Sequence, residues 1–248
     1  VILLFLPAPV AAGSLCGEGS GRLRVLTFNL QFTRALRAER QVAPLAADRA
    51  ADPPDLLLLQ EVAGGLVIGA ESVAHLLAAR LREADGPDYA VVHAPASGVE
   101  GFFSVGNVVL TRCPVLARRS IPLPEIAELS VAGGRWRLAR NLLRVDVPTA
   151  AGPLHVFDTH LCAACTPSER ARQLRLVLAA VRTAAAHGAP VILGGDFNID
   201  VVRDAGAERP LYETILRAGL HGSVGRGRGW CARPAHPDAF CTVGVADP

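Results

Sequence analysis

The stretch Val191-Ile192-Leu193-Gly194-Gly195-Asp196-Phe197-Asn198 constrains the fold more than any other. A β-branched apolar run closed by glycines reads as a buried strand. The glycines let the backbone turn and come close to another segment. If the backbone stays extended, Asp196 and Asn198 stand side by side at the strand's carboxyl end. Three other apolar strands end the same way. Residues 22–30 alternate, turn apolar and end near Asn29. Residues 55–60 form a continuous apolar run, hence a central strand, and Glu61 follows. Residues 154–161 carry Asp158 and His160, which period-two spacing puts on one face.

The remaining elements surround these strands. Residues 34–51 are Ala/Arg-rich and helical in pattern, interrupted at Pro44 and stopped by Asp52-Pro53-Pro54. Residues 72–84 place Leu76, Leu77 and Leu81 at helical spacing. Short strands are expected over 89–93 and 107–111, and a strand over 140–147 joins 154–161 through a turn at 151–153. Thr166-Pro167-Ser168-Glu169 is a capping box with proline at the first helical position. That helix runs to about His187 and Gly188 ends it, and a short helix over 211–218 is closed by Gly219. After Gly222 the chain is Gly/Arg/Pro-rich and irregular. Strands and helices interleave, but several strands are neighbours in sequence. The expected class is therefore α/β (α+β), two mixed apolar sheets packed face to face with helices outside, a four-layer α-β-β-α sandwich.

Half of the 248 residues are apolar, enough for a sizeable core. A formal net charge of +2 argues neither for nor against a polyanionic partner. Every basic residue in the count is arginine. Residues 1–12 are apolar and end Val10-Ala11-Ala12, which reads as the back half of a secretory signal peptide. Without an initiator Met or a basic leader region, the chain is expected to be clipped there. The domain itself is expected over 22–248, and the protein is expected to be secreted, periplasmic or otherwise extracytoplasmic. Secretion makes the six cysteines consistent with disulfides, and proximity favours Cys162 with Cys165 and Cys231 with Cys241.

The polar strand ends share one chemistry. Glu and Asp bind a hard cation such as Mg²⁺ through oxygen. Asn can hydrogen-bond a phosphate oxygen or orient water, and His can move a proton near neutral pH. Arg140, opening its strand, can clamp a phosphate. No nucleophile elbow or P-loop signature is present. Trp136 between Arg135 and Arg137 reads as an apolar anchor flanked by solvated charge, and Arg226 with Arg228 as a solvated loop.

Thr27-Phe28-Asn29-Leu30-Gln31, Leu59-Gln60-Glu61-Val62, Gly106-Asn107-Val108-Val109-Leu110, Asp158-Thr159-His160-Leu161 and Gly195-Asp196-Phe197-Asn198 occur in an order that resembles the endonuclease/exonuclease/phosphatase superfamily of DNase I-like phosphoesterases. The resemblance covers roughly 22–220. It implies Glu61 as principal metal ligand with Asn29 beside it, for Mg²⁺ or else Mn²⁺ or Ca²⁺. It implies His160 on the scissile phosphate, Asp196 polarising the attacking water, and Asn198 holding that water or a phosphate oxygen. Asn107 would support the site and Arg140 would neutralise phosphate charge. The implied activity is phosphoric ester hydrolysis by a secreted monomer with no obligate protein partner. The substrate would be a nucleic acid, a phospholipid head group or a small phosphate ester. A degenerate binding module is the alternative.

The superfamily's closing Ser-Asp-His phrase is not found. His221, His236, Asp238 and Asp247 do not lie in such a phrase. The expectation is a chain truncated before its last strands, C-terminally incomplete.

Overall fold

The computed structural model describes residues 15–17, 23–32, 53–83, 86–131, 134–186, 188–199 and 208–220. The expected leader 1–12, the helix over 34–51 and everything from 221 onward lie outside them. So do Cys231, Cys241, Arg226, Arg228, His221, His236, Asp238 and Asp247, and the side chains of Arg135 and Trp136.

Among the described residues, eight strands form two sheets of four. The first holds β1 (Val25–Asn29), β2 (Leu56–Gly64), β3 (Ala90–Val99) and β4 (Phe103–Thr111), in the order β1-β2-β4-β3. The second holds β5 (Ala117–Val131), β6 (Gly134–Thr149), β7 (Gly152–His160) and β8 (Val191–Asp196), in sequence order. Each sheet has one parallel pair, β1 with β2 and β7 with β8, and is antiparallel elsewhere. The helix α2 (Pro167–Ala185) makes the crossover that the parallel β7–β8 pair requires.

Alternation along the strands sorts the side chains into three apolar layers. Leu56, Leu58 and Val109 of the first sheet meet Leu143, Val145 and Val156 of the second in the inter-sheet core. Leu57, Leu59 and Val108 face outward onto Leu77 and Leu81 of α1 (Val73–Glu83). Leu142 and Phe157 face outward onto Leu174, Val177 and Val181 of α2, with Leu211 of α3 (Arg209–Arg217) beside them. These are the four expected layers. No helix among the described residues is long and apolar enough to cross a membrane.

Several boundaries differ from the sequence reading. β2, β3, β4 and β6 run longer than expected, β2 continuing through Glu61 to Gly64, and β5 is a strand that the sequence does not announce. Its Pro122 and Pro124 read as breakers, but among the described residues β5 is an edge strand bonded only to β6, where a missing N–H is tolerated. Arg140 lies well inside β6 instead of opening it. The Thr166 capping box is present as expected. Two disulfides close the described cysteines: the expected Cys162–Cys165, and Cys16–Cys113, which joins residues 97 positions apart and had no local signal.

Candidate active site

Polar pairs bridge the two sheets like rungs where the strands deliver their polar residues. The first joins the facing edge strands β1 and β8, where Asn29 Nδ2 donates to Asp196 Oδ2 at 2.9 Å. The second joins β2 and β7, with His160 Nε2 3.8 Å from Glu61 Oε1. The same nitrogen is 3.8 Å from Asp196 Oδ2, so one imidazole faces two carboxylates. The third joins β4 and β6, where Asn107 Nδ2 donates to Asn141 Oδ1 at 2.9 Å and to its carbonyl at 3.0 Å.

Local backbone geometry aims these groups. Gln31, Glu61 and Asn198 are the described non-glycine residues with positive φ, at 54°, 54° and 49°. All three lie at or beside this site, and such conformations cost about 1–3 kcal/mol each. Glu61 sits within β2, in the register shift of the β2–β4 ladder between Leu59 and Val62. A bulge of this kind re-aims a side chain out of strict alternation. Phe32 N, arriving after β1, donates to Glu61 Oε2 at 3.2 Å. Gly195, at φ 135°, packs its Cα against the backbone of β7, and a Cβ there would stand 2.0 Å from Thr159 O.

Asp196 accepts on both oxygens, from Asn29 Nδ2 on Oδ2 and from Asn198 N at 3.0 Å on Oδ1. The backbone therefore turns after Asp196, and the side-by-side extended arrangement with Asn198 does not occur. Asn198 Nδ2 instead donates to Leu161 O at 2.8 Å, which places Asn198 as a clamp between the ends of β7 and β8.

The electrostatics follow from burial. His160 is pushed down to about 3, first by burial and then by the Arg140 guanidinium, with Asp196 opposing. Its contacts with Glu61 and Asp196 at neutral pH are thus those of a neutral imidazole. Arg140 lines the same recess as Glu61, Asn107 and His160. Burial lowers its pKa, and Glu61 and Asp196 counter that. Its Nε is buried without a hydrogen-bond partner. Below the recess, burial drives the Asp158 carboxyl well above the usual carboxylate range, against the hydrogen bond from Gln60.

No cluster of three or more His, Cys, Asp or Glu side chains arranged for a metal occurs among the described residues. Mg²⁺ does not require one, because it keeps waters and binds through one or two carboxylates plus substrate phosphate. Glu61 fits that habit, since among the described residues its Oε1 accepts no hydrogen bond. Asn29 Oδ1 accepts one, from Gln31 N at 2.8 Å, and keeps a second lone pair.

The structure thus brings Asn29, Glu61, Asn107, Arg140, His160, Asp196 and Asn198 to one end of the sandwich. Sequence reasoning missed Asn141 and Gln60. Asn141, 3% exposed, also donates to Ala94 O and Ser120 Oγ. The available signal was a polar residue inside an apolar strand, which burial makes costly unless it is bonded.

A sequence model described as the Endonuclease/Exonuclease/phosphatase family matches residues 26–240. The structure is similar to an endonuclease/exonuclease/phosphatase family protein from Leptotrichia buccalis, with 20% identity and a TM-score of 0.62, over 81% of this chain and 74% of that one. It is also similar to an endonuclease/exonuclease/phosphatase from Beutenbergia cavernae, with 27% identity and a TM-score of 0.56, over 79% of this chain and 53% of that one. The sphingomyelinase C of Streptomyces griseocarneus shares the fold at 19% identity and a TM-score of 0.55, over 79% and 69% of the two chains. Comparison with curated proteins finds no match.

Proposed function

Because the chain belongs to the endonuclease/exonuclease/phosphatase family, we propose that it is a divalent-metal-dependent hydrolase of phosphoric esters, acting on phosphodiester bonds by in-line attack of water. The observation that carries this reading is the convergence of Glu61 and Asp196 on His160 Nε2, each at 3.8 Å, from strands of both sheets. Glu61 and the Asn29 amide oxygen would hold Mg²⁺, or Mn²⁺ or Ca²⁺ in its place, and the bound cation would offset charge developing on the phosphoryl oxygens. Asp196, held by hydrogen bonds on both oxygens, keeps lone pairs with which to orient the attacking water and receive its proton. His160, neutral at pH 7, offers an uncharged donor to a phosphoryl oxygen. Arg140 adds a fixed cation whose Nε is free to donate. Asn198 holds the turn that presents Asp196, and Asn107 holds Asn141 next to Arg140.

Release of 4-nitrophenol from bis(4-nitrophenyl) phosphate tests this. The wild type should require a divalent cation, and Glu61→Gln should lower kcat/KM by roughly 10²-fold or more, the scale of losing one well-placed charge. A wild type with no cation-dependent release defeats the hydrolase reading. A Glu61→Gln rate within twofold of wild type defeats the metal assignment.

A second reading, hydrolysis of phospholipid head groups at a membrane surface, is supported by an apolar tip that the sequence did not announce. Leu66, Val99 and Phe102 are 76%, 66% and 57% exposed. Two hydrogen bonds, Leu66 N to Gly101 O and Val67 N to Phe102 O, join the segment after β2, which carries Leu66, to the β3–β4 turn beside Val99 and Phe102. Glu61 lies three strand residues, about 10 Å, before the end of β2 from which the tip projects. Leu66→Ser/Phe102→Ser should slow hydrolysis of sphingomyelin in vesicles at least tenfold while sparing the soluble ester. Equal loss on both substrates sinks the docking role. An extracytoplasmic location is part of the proposal, supported by the two disulfides and by the signal-like residues 1–12.

A further inference from the structure

Directly under the Glu61–His160 rung lies a polar contact that the mechanism above does not use. Gln60, 1% exposed, donates from Nε2 to Asp158 Oδ1 at 2.6 Å across the two sheets, and Asp158 is fully buried. The same nitrogen lies 3.1 Å from Thr27 Oγ1 on β1 and 3.0 Å from Leu58 O. Gln60 is the residue before Glu61, and Asp158 shares the face of β7 with His160, two positions on. One amide therefore ties together the three strands that deliver Asn29, Glu61 and His160.

Away from the rungs at the site end, the core between the sheets is aliphatic: Leu56, Leu58, Val109, Leu143, Val145 and Val156. Aliphatic contacts stabilise two sheets without fixing their separation closely, because they are non-directional. A hydrogen bond does fix it, within a few tenths of an ångström. An apolar pair in place of Gln60 and Asp158 would suit stability as well or better, since the net gain of a buried hydrogen bond is small and Asp158 Oδ2 is left unpartnered. The tie is thus poorly explained by stability and well explained by geometry.

We propose that Gln60 is a positioning residue, with Asp158 as its partner, that sets the distance across the sheets between Glu61 and His160 and so the metal-binding and hydrolytic geometry. This inference rests on the functional reading given above. Burial disfavours the charged form of Asp158, and Asn at this position still offers Gln60 an oxygen to donate to.

The test compares the full chain with Gln60→Met, Asp158→Leu and Asp158→Asn, and with Leu143→Ala as a core control that removes no polar tie. Each is assayed for kcat and KM on bis(4-nitrophenyl) phosphate with Mg²⁺, for Mn²⁺ affinity by electron paramagnetic resonance, and for Tm. Gln60→Met and Asp158→Leu should lower kcat about tenfold and weaken Mn²⁺ binding several-fold, with KM within twofold and Tm no lower than that of Leu143→Ala. Asp158→Asn should restore most of the kcat that Asp158→Leu loses. Wild-type kcat and Mn²⁺ affinity in Gln60→Met overturn the inference, as does an equal loss of kcat in Leu143→Ala. If the wild type binds Mn²⁺ but does not hydrolyse the ester, the hydrolase reading fails and the Mn²⁺ affinities alone decide the positioning role. A wild type that neither binds nor hydrolyses overturns both.

Discussion

Gly195 is where β8 leans on β7 one residue before Asp196, and replacing it with alanine should damage stability and chemistry together. The alanine would have to adopt φ 135°, a conformation costing an L-residue about 1–3 kcal/mol. Its Cβ would stand 2.0 Å from Thr159 O, against 3.4 Å for an ordinary contact, so backbone must move by about an ångström. Overpacking of this kind adds about 1–3 kcal/mol, giving about 4 kcal/mol in all. The displaced backbone carries Asp196, and a shift of about 1 Å in a reacting group costs on the order of 10²-fold in rate. Gly188→Ala is the matched control. Gly188 also has positive φ, 76°, but a Cβ there meets nothing within 4 Å. It should lose only about 1–2 kcal/mol and keep full activity. Urea unfolding and bis(4-nitrophenyl) phosphate hydrolysis read the two variants. Gly195→Ala within 1 kcal/mol of Gly188→Ala, with kcat within twofold of wild type, would refute the close-approach argument.

The two disulfides should differ in weight: Cys16→Ser/Cys113→Ser opens a 97-residue loop and should cost up to about 4–5 kcal/mol in urea unfolding, against about 2 kcal/mol for Cys162→Ser/Cys165→Ser. Equal losses would show that loop length is not what matters here. Asp146 governs part of the acid limb. Burial would raise its pKa, but hydrogen bonds and charge from Arg144 and His155 outweigh burial and hold it below the ordinary carboxylate value. Because its folded value is depressed, its contribution is present above the ordinary value of about 3.9 and is lost as pH falls through the folded one. Stability of the wild type measured from pH 6 to pH 2 should therefore fall more steeply than that of Asp146→Asn. Parallel curves would remove Asp146 from the acid response.

Much of this molecule was legible because its signals are short-range. The apolar run before Gln60, the Val191 run and the Thr166 capping box each lie within a few residues and formed as read, and the hairpin formed too, with its turn at 150–151 and Gly152 and Pro153 already in β7. Asn29, His160 and Asp196 were legible for the same reason, as polar residues closing apolar strands, and Glu61 as a carboxylate directly after an apolar run. β5 was not, because its prolines are breakers in any strand with neighbours on both sides, and only the sheet order reveals that β5 has one. The conformation of Asn198 was not legible, because its positive φ and its bond to Leu161 O depend on where β7 ends, 37 positions earlier.

The sequence by itself therefore determined the strands β1, β2, β7 and β8 and placed Asn29, His160 and Asp196 at the ends of theirs, since side-chain alternation needs only neighbouring residues. Only the tertiary structure decided which strand faces which: that Asn29 meets Asp196 across 167 positions, that Glu61 meets His160, and that Gln60 reaches Asp158. Those pairings are fixed by sheet order, register and the distance between packed sheets, and each is the outcome of the whole core closing at once, with no local pattern to encode it.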